Sequence, residues 1–285
     1  MGVAVLLAAC GHWAPRQGED ALASSAAAAT IHPAQDAESR MLSKAMRLPS
    51  QMRGRELYRY ACASCHGSRG NGLGPSAAGL DPLPRDFTRA LYKWRHTESG
   101  SLPQDADIFR TITKGVPGTT MPAWGKLLSE QERWDLVEHL KSFSVRFKEE
   151  PLQDDEIVKL PEAALPATAA SIAQGRKVYE EMKCWECHGP AGRGDGPSST
   201  TLKDSWDRAI RPFDFSAGLY RCGDTDRDIY TTFYTGLNGT PMPSFALTIP
   251  DADRWPLVHY VRSLQRTPGP LERWLLEAPI LTPSP

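Results

Sequence analysis

The chain is written twice. Gly54-Arg55-Glu56-Leu57-Tyr58 returns 121 positions later as Gly175-Arg176-Lys177-Val178-Tyr179, and Gly67, Gly70, Gly72, Gly74 and Pro75 return as Gly189, Gly192, Gly194, Gly196 and Pro197 at an offset of 122. Further on, Asp86-Phe87-Thr88 and Tyr92 are answered by Asp214-Phe215-Ser216 and Tyr220, and the run from Asp107 to Trp124 by that from Asp228 to Phe245. Solenoid repeats run roughly 20–50 residues, so a period above a hundred means a duplicated domain. A chain of 285 residues with 40% apolar content has room for two such domains with modest cores.

Between the matched tyrosines and the matched glycines, each copy carries Cys-x-x-Cys-His: Cys62-Ala63-Ser64-Cys65-His66 and Cys184-Trp185-Glu186-Cys187-His188. That pattern reads as covalent attachment of c-type haem. Two thiols one helical turn apart can form thioethers with the two vinyl groups of one porphyrin, and the adjacent imidazole can reach its iron. Half a zinc site or a redox dithiol would also use Cys-x-x-Cys, but neither needs the histidine twice within a larger repeat. The reading is two covalently bound haems c, and a protein that moves electrons.

A second ligand for each iron has a matching candidate. Gly118-Thr119-Thr120-Met121-Pro122 and Gly239-Thr240-Pro241-Met242-Pro243 each set one methionine in a Gly/Pro-rich, non-helical loop, 59 and 58 residues after Cys62 and Cys184. A thioether is a soft ligand that suits haem iron and raises its potential. The plainer alternative is that Met121 and Met242 only fill gaps in the two cores. Met182 lies too close to Cys184 to reach round a ring, and Met41, Met46 and Met52 have no partner in the repeat.

These residues resemble the class I cytochromes c, and specifically diheme members built from two such domains in tandem, over roughly residues 50–148 and 170–266. The resemblance implies an all-α fold in each domain. An N-terminal helix leads into the haem motif, followed by a Gly-rich loop, one or two short helices, the methionine loop and a C-terminal helix crossing the first. The pattern supports the last element independently. Ser129 can cap a helix carrying Trp134, Leu136, Val137, Leu140 and Phe143 at helical spacing, and Trp255, Leu257, Val258, Val261 and Leu264 repeat it after Pro250 and Asp251. Cores this small leave much of the buried apolar surface to the haem itself.

Residues 1–10 end in Leu7-Ala8-Ala9-Cys10 and resemble a bacterial lipobox, which implies lipidation of Cys10; a plain secretory signal or a truncated anchor is the competing reading. Residues 11–49 then read as a flexible tether, 149–169 as an acidic linker and 267–285 as a Pro-rich tail. No segment approaches the roughly 20 apolar residues needed to span a bilayer. Haem attachment of this kind implies, for the family resembled, the periplasmic side of a bacterial membrane.

Charge is divided between the copies. Residues 50–148 hold 15 Lys/Arg against 10 Asp/Glu, residues 149–285 hold 14 against 20, and much of the excess lies in Glu149, Glu150, Asp154, Asp155, Glu156 and Glu162. The acidic run reads as a solvated linker, or as a surface that steers a basic redox partner while the first domain meets an acidic one. Nothing suggests nucleic-acid binding. Cys222 reads as a small buried apolar residue, His96, His139 and His259 as structural histidines, and Tyr92 to Arg95 as a core aromatic patch with basic residues near a haem propionate.

Two function classes follow. One is an electron-transfer protein, free or as a subunit, relaying single electrons between protein partners such as a membrane dehydrogenase, a quinol-oxidising complex or a terminal oxidase or reductase. The other is a diheme enzyme of peroxidase type, which needs an iron with an open distal position. A methionine on each iron favours the first.

Overall fold

The computed structural model describes residues 49–161 and 164–266. Cys10, the tether and the tail from 267 lie outside them. Among the described residues the fold is all-α, with only two isolated β-bridges. The first half comprises α1 (Ser50–Ala61), the short α2 (Ala63–His66), α3 (Asp105–Lys114), α4 (Glu130–Lys141) and a final turn α5 (Arg146–Glu149). The second comprises α6 (Ala169–Glu181), α7 (Trp185–His188), α8 (Asp226–Thr235) and α9 (Asp251–Ser263).

In each half the first long helix crosses the last, and a glycine sets how closely. A Cβ on Gly54 would lie 1.9 Å from the carbonyl oxygen of Asp135, and one on Gly175 1.8 Å from that of Pro256, so only a hydrogen fits where the backbones meet. One turn along α1, Tyr58 is buried and donates its hydroxyl to Gly67 O at 2.8 Å; Tyr179 does the same to Gly189 O at 2.6 Å. The recurring Gly-Arg-x-x-Tyr is therefore a helix-crossing and loop-anchoring device.

Helix α4 begins as its sequence predicts. Ser129 accepts from Glu132 N, and the Glu132 carboxylate accepts from Ser129 N, a reciprocal cap. Leu136, Val137 and Leu140 then close the first core with Tyr58, Ile108 and Ile112. Helix α9 starts after Pro250 without a side-chain cap and carries Pro256 within it, yet buries Trp255, Leu257, Val258 and Val261 against Val178, Tyr179 and Phe233. His139 and Tyr260, which occupy matching places, make matching edge contacts to Tyr58 (5.1 Å) and Tyr179 (5.2 Å). His259 is tied to Ser171 Oγ and Leu165 O, and His96 to Asp107. All three are structural histidines.

Three departures from the repeat have structural counterparts. The offset rises from 121 to 122 just before the second Cys-x-x-Cys-His, and Lys183, in the left-handed region at φ 54°, stands at that place. It rises again to 128 by Asp214, which adds six residues to the second half, and there a tight finger closes through an antiparallel bridge between Lys203 and Ala209. It falls back to 121 by Asp228, which leaves the first half seven residues longer between Tyr92 and Asp107. Both longer stretches reach across to the opposite half.

Arg95, on the longer stretch of the first half, is 1% exposed and donates to Thr235 O (2.9 Å) and Gly236 O (3.2 Å). It thereby caps the carbonyl end of α8, where a cation also meets the negative end of the helix dipole. Asn238 exchanges hydrogen bonds with Gly100 N and Ser101 O, and Arg110 pairs with Asp228. The acidic linker runs back along the first half, with Val158 N donating to His96 O, before Pro161 O accepts from Arg227. Its Asp154 and Asp155 side chains stay exposed.

Candidate functional site

The cysteine motifs fold into the short helices α2 and α7, each ended by a glycine with positive φ (Gly67 at 77°, Gly189 at 78°). The glycine loop then folds back over the motif: Gly72 N donates to His66 O and Gly74 N to Cys65 O, as Gly194 N does to His188 O and Gly196 N to Cys187 O. Matching bonds bring the next segment alongside, Phe87 N to Gly70 O and Phe215 N to Gly192 O, both at 2.7 Å.

That segment orients the histidines. His66 Nδ1 lies 3.0 Å from Arg85 O and His188 Nδ1 3.3 Å from Phe213 O, which makes Nδ1 the protonated donor and leaves Nε2 with its lone pair. A phenylalanine two residues further on stacks against each ring, Phe87 on His66 at 4.7 Å and Phe215 on His188 at 4.4 Å. Burial keeps both imidazoles below their ordinary pKa, hence neutral. A neutral imidazole with a fixed tautomer is the form that ligates a metal. The repeat of Asp-Phe-Thr/Ser was visible in the sequence; that it supplies the histidine's acceptor and its stacking ring was not.

The methionine loops are also built alike. Val116 N donates to Met121 O and Leu237 N to Met242 O, both at 3.1 Å, while Thr119 and Thr240 accept from Met121 N and Met242 N and donate to Val116 O and Leu237 O. In the first half Cys62, Cys65, His66 and Met121 all line one cleft, walled by Phe87, Ile108, Ile112, Leu136 and Leu140. The space free of protein atoms there, open mouth included, is about 1260 Å³. In the second half Cys184 and Met242 pack against the second core, as does Cys222.

The cleft has the polarity that a porphyrin with two carboxylates would need. Its depth is apolar; its rim holds Arg85, Tyr92 and Lys93. Tyr92 Oη is buried without a hydrogen-bond partner, and among the described residues neither Arg85 nor Lys93 has a carboxylate within ion-pair distance. Burial pushes Lys93 down to about 8 and Arg85 to about 10. In the second half Arg221, matching Lys93, leaves its buried Nε unpartnered and sits over Phe213. Orphaned donors around an apolar slot fit the propionate edge of a haem.

The other uses of Cys-x-x-Cys fit poorly. A reactive dithiol needs a lowered thiol pKa, whereas burial raises Cys62 to about 12 and Cys184 to about 11. Among the described residues no three His, Cys, Asp or Glu side chains cluster as a metal site of the zinc type.

Helices of this kind, crossing at a glycine and framing a Cys-x-x-Cys-His cleft, define a c-type cytochrome. The comparisons agree: the family described as "Cytochrome C oxidase, cbb3-type, subunit III" matches residues 49–140, and "Cytochrome c" matches residues 172–265. The chain belongs to the cytochromes c with two such domains in tandem, whose cofactor is covalently bound haem c. It is 27% identical over 230 residues to the "Cbb3-type cytochrome c oxidase subunit CcoP" of Azospirillum sp. (strain B510), which covers 74% of this chain and 61% of the relative. It is 38% identical over 80 residues to "Cytochrome c55X" of Stutzerimonas stutzeri, 28% of this chain and 55% of that protein. The chain thus spans about three fifths of the curated relatives it matches. Among solved structures, the "Kuenenia stuttgartiensis reducing HAO-like protein complex Kustc0457/Kustc0458" contains a chain 46% identical, with TM-score 0.71, covering 75% of this chain and 96% of that one.

Proposed function

We propose that the protein holds two haems c and relays single electrons between redox proteins, as a carrier or as the cytochrome subunit of a larger complex. Cys62 and Cys65, and Cys184 and Cys187, would form the thioethers; His66 with Met121, and His188 with Met242, would ligate the two irons. Bound haem supplies one-electron iron chemistry at a potential raised by a thioether ligand. The chain's own contribution is to fix each imidazole through a backbone carbonyl, present a methionine from a braced loop, and keep water out with aromatic and aliphatic walls.

The observation that carries this reading is the duplicated histidine arrangement, in which Nδ1 is committed to a carbonyl and Nε2 is not. A methionine in each half argues against a substrate-accessible iron, and so against a peroxidase-type enzyme. Similarity to the oxidase subunit CcoP and to a chain of an HAO-like complex supports an assembly with a larger oxidoreductase. A periplasmic location and a lipid on Cys10 complete the proposal; among the described residues no helix is long and apolar enough to cross a membrane.

The test is a spectroscopic redox titration of the haem-loaded protein with and without cyanide or carbon monoxide. Two low-spin haems of relatively high potential that ignore added ligand are expected. A high-spin haem, or one that binds ligand readily, would overturn the methionine assignment for that half and bring the enzymatic reading forward.

A further inference from the structure

The six residues added to the second half before Asp214 contribute to the finger tipped by Trp206; its Ser205 N donates to Gly239 O and its indole packs on Gly239 within its own half, while its side-chain hydrogen bonds reach the first half. Asp204 Oδ1 accepts from Trp206 N and Arg208 N, and Asp204 N donates to Arg208 O, so the tip is held by its own backbone. The indole lies beneath three guanidinium groups, Arg85 at 5.0 Å, Arg89 at 5.1 Å and Arg208 at 5.9 Å. Its Nε1 donates to Asp86 Oδ2 at 2.7 Å, and Arg89 donates to Ser205 O, also at 2.7 Å.

What the finger grips is the strip that orients His66. Arg85 supplies the carbonyl that accepts from His66 Nδ1, Phe87 supplies the stacking ring, and Asp86 stands between them. Asp86 is 8% exposed and splits its carboxylate: Oδ1 accepts from Thr88 N and Thr88 Oγ1, Oδ2 from Trp206. The second half has the same strip, Phe213-Asp214-Phe215, on His188, and Asp214 Oδ1 accepts from Ser216 in the same way. Among the described residues no side chain from the first half takes the place of the indole on Asp214.

We infer that Trp206 is a positioning residue for the first haem's axial histidine, so that the second half bears on the ligand field of the first through the strip that holds His66. The inference rests on the proposal that His66 and His188 ligate the irons. Its physical content is that the donor strength of a ligating imidazole follows the hydrogen bond at its other nitrogen, so a backbone that holds the acceptor tunes the metal.

The haem-loaded full chain and its Trp206→Phe, Trp206→Ala and Asp214→Asn variants would be compared by spectroelectrochemical titration and by low-temperature electron paramagnetic resonance of the oxidised state. The wave that Met121→Ala displaces identifies the first haem. Trp206→Phe keeps a ring and removes the indole N–H; it should shift the first haem's wave and its low-spin signal by more than the second's, whose methionine loop meets the indole through Gly239 alone. Trp206→Ala should shift the same wave further, and Asp214→Asn should move only the second. The inference is overturned if both waves and both signals in Trp206→Phe coincide with the parent's, or if the second haem shifts as much as the first. A parent protein without two haem waves would instead overturn the haem assignment beneath it, so the two failures are distinguishable.

Discussion

The two halves solve one problem with different chemistry at the helix crossing. In the first, Asp135 on α4 accepts from Arg53 Nε and Nη2 at 2.6 Å, from Ser50 at 2.5 Å and from Gln131 at 3.0 Å, so a charged network surrounds the glycine contact. In the second, Pro256 stands at the matching place, and the crossing is secured by Gln174 to Asp253 and by His259 to Ser171 and Leu165. The lesson is that backbone approach was kept and the polar dressing was free to change. A Cβ at either glycine strikes a carbonyl, whereas several polar arrangements can flank that contact.

The largest effects should come from what the halves share. Replacing Cys62 and Cys65 together by Ala, or Cys184 and Cys187, should halve the haem content per chain measured as the pyridine haemochrome; full retention would show that the motif replaced does not hold haem. Gly54→Ala and Gly175→Ala should each cost at least about 1–3 kcal/mol, because the added methyl meets backbone that cannot step aside. Thermal unfolding of the loaded protein should fall for both, and an unchanged midpoint for one would mean that its crossing can widen.

Smaller effects should separate the halves. Asp135→Asn removes the negative charge that Arg53 Nε and Nη2 meet there and should cost about 1–3 kcal/mol, seen as faster hydrogen exchange in α1 and α4 but not in α6 and α9. Burial alone would raise the Asp135 carboxyl, but the bonds from Arg53, Ser50 and Gln131 bring it below its ordinary 3.8. Its stabilisation is therefore complete above that value and is lost below it, as the pH falls through the lowered value of the folded state. His139 acts in the same direction at milder acidity: burial, with Arg55 nearby, lowers it from 6.5. Its neutral form suits the folded state, so stability is full above pH 6.5 and declines below it. His139→Phe should flatten that decline in the exchange rates of α1; an unchanged slope would exclude His139 as its source. Tyr260, in the matching place, is raised from 10.0 by burial and stays uncharged throughout this range.

Much of the fold could be read in advance. The capped start of α4 and the buried Leu136, Val137 and Leu140 follow from local spacing and a serine. The methionine loops match because Gly-Thr-x-Met-Pro builds the same hydrogen-bonded turn in both halves. The matched glycines marked loops, but the reason for Gly54 and Gly175 lies 81 residues further along the chain, in the carbonyls of Asp135 and Pro256. The stretch from Tyr92 to Arg95 was expected to bring basic residues near a propionate; Lys93 does lie on the cleft rim beside the unpartnered Tyr92 hydroxyl, whereas Arg95 turns away to cap the end of α8.

The duplication, the cysteines and histidines of each copy, the methionine loops and the all-α character were determined by the sequence, because each rests on residues a few positions apart or on a pattern copied whole. The meaning of the places where copying failed was decided by tertiary structure. Asp86 and Trp206 stand 120 residues apart, and Arg95 and Thr235 140, so no local preference joins them. Only when both halves are folded and packed do six added residues in one and seven in the other become the contacts that bind them, since a buried guanidinium or indole needs partners that the opposite half alone supplies.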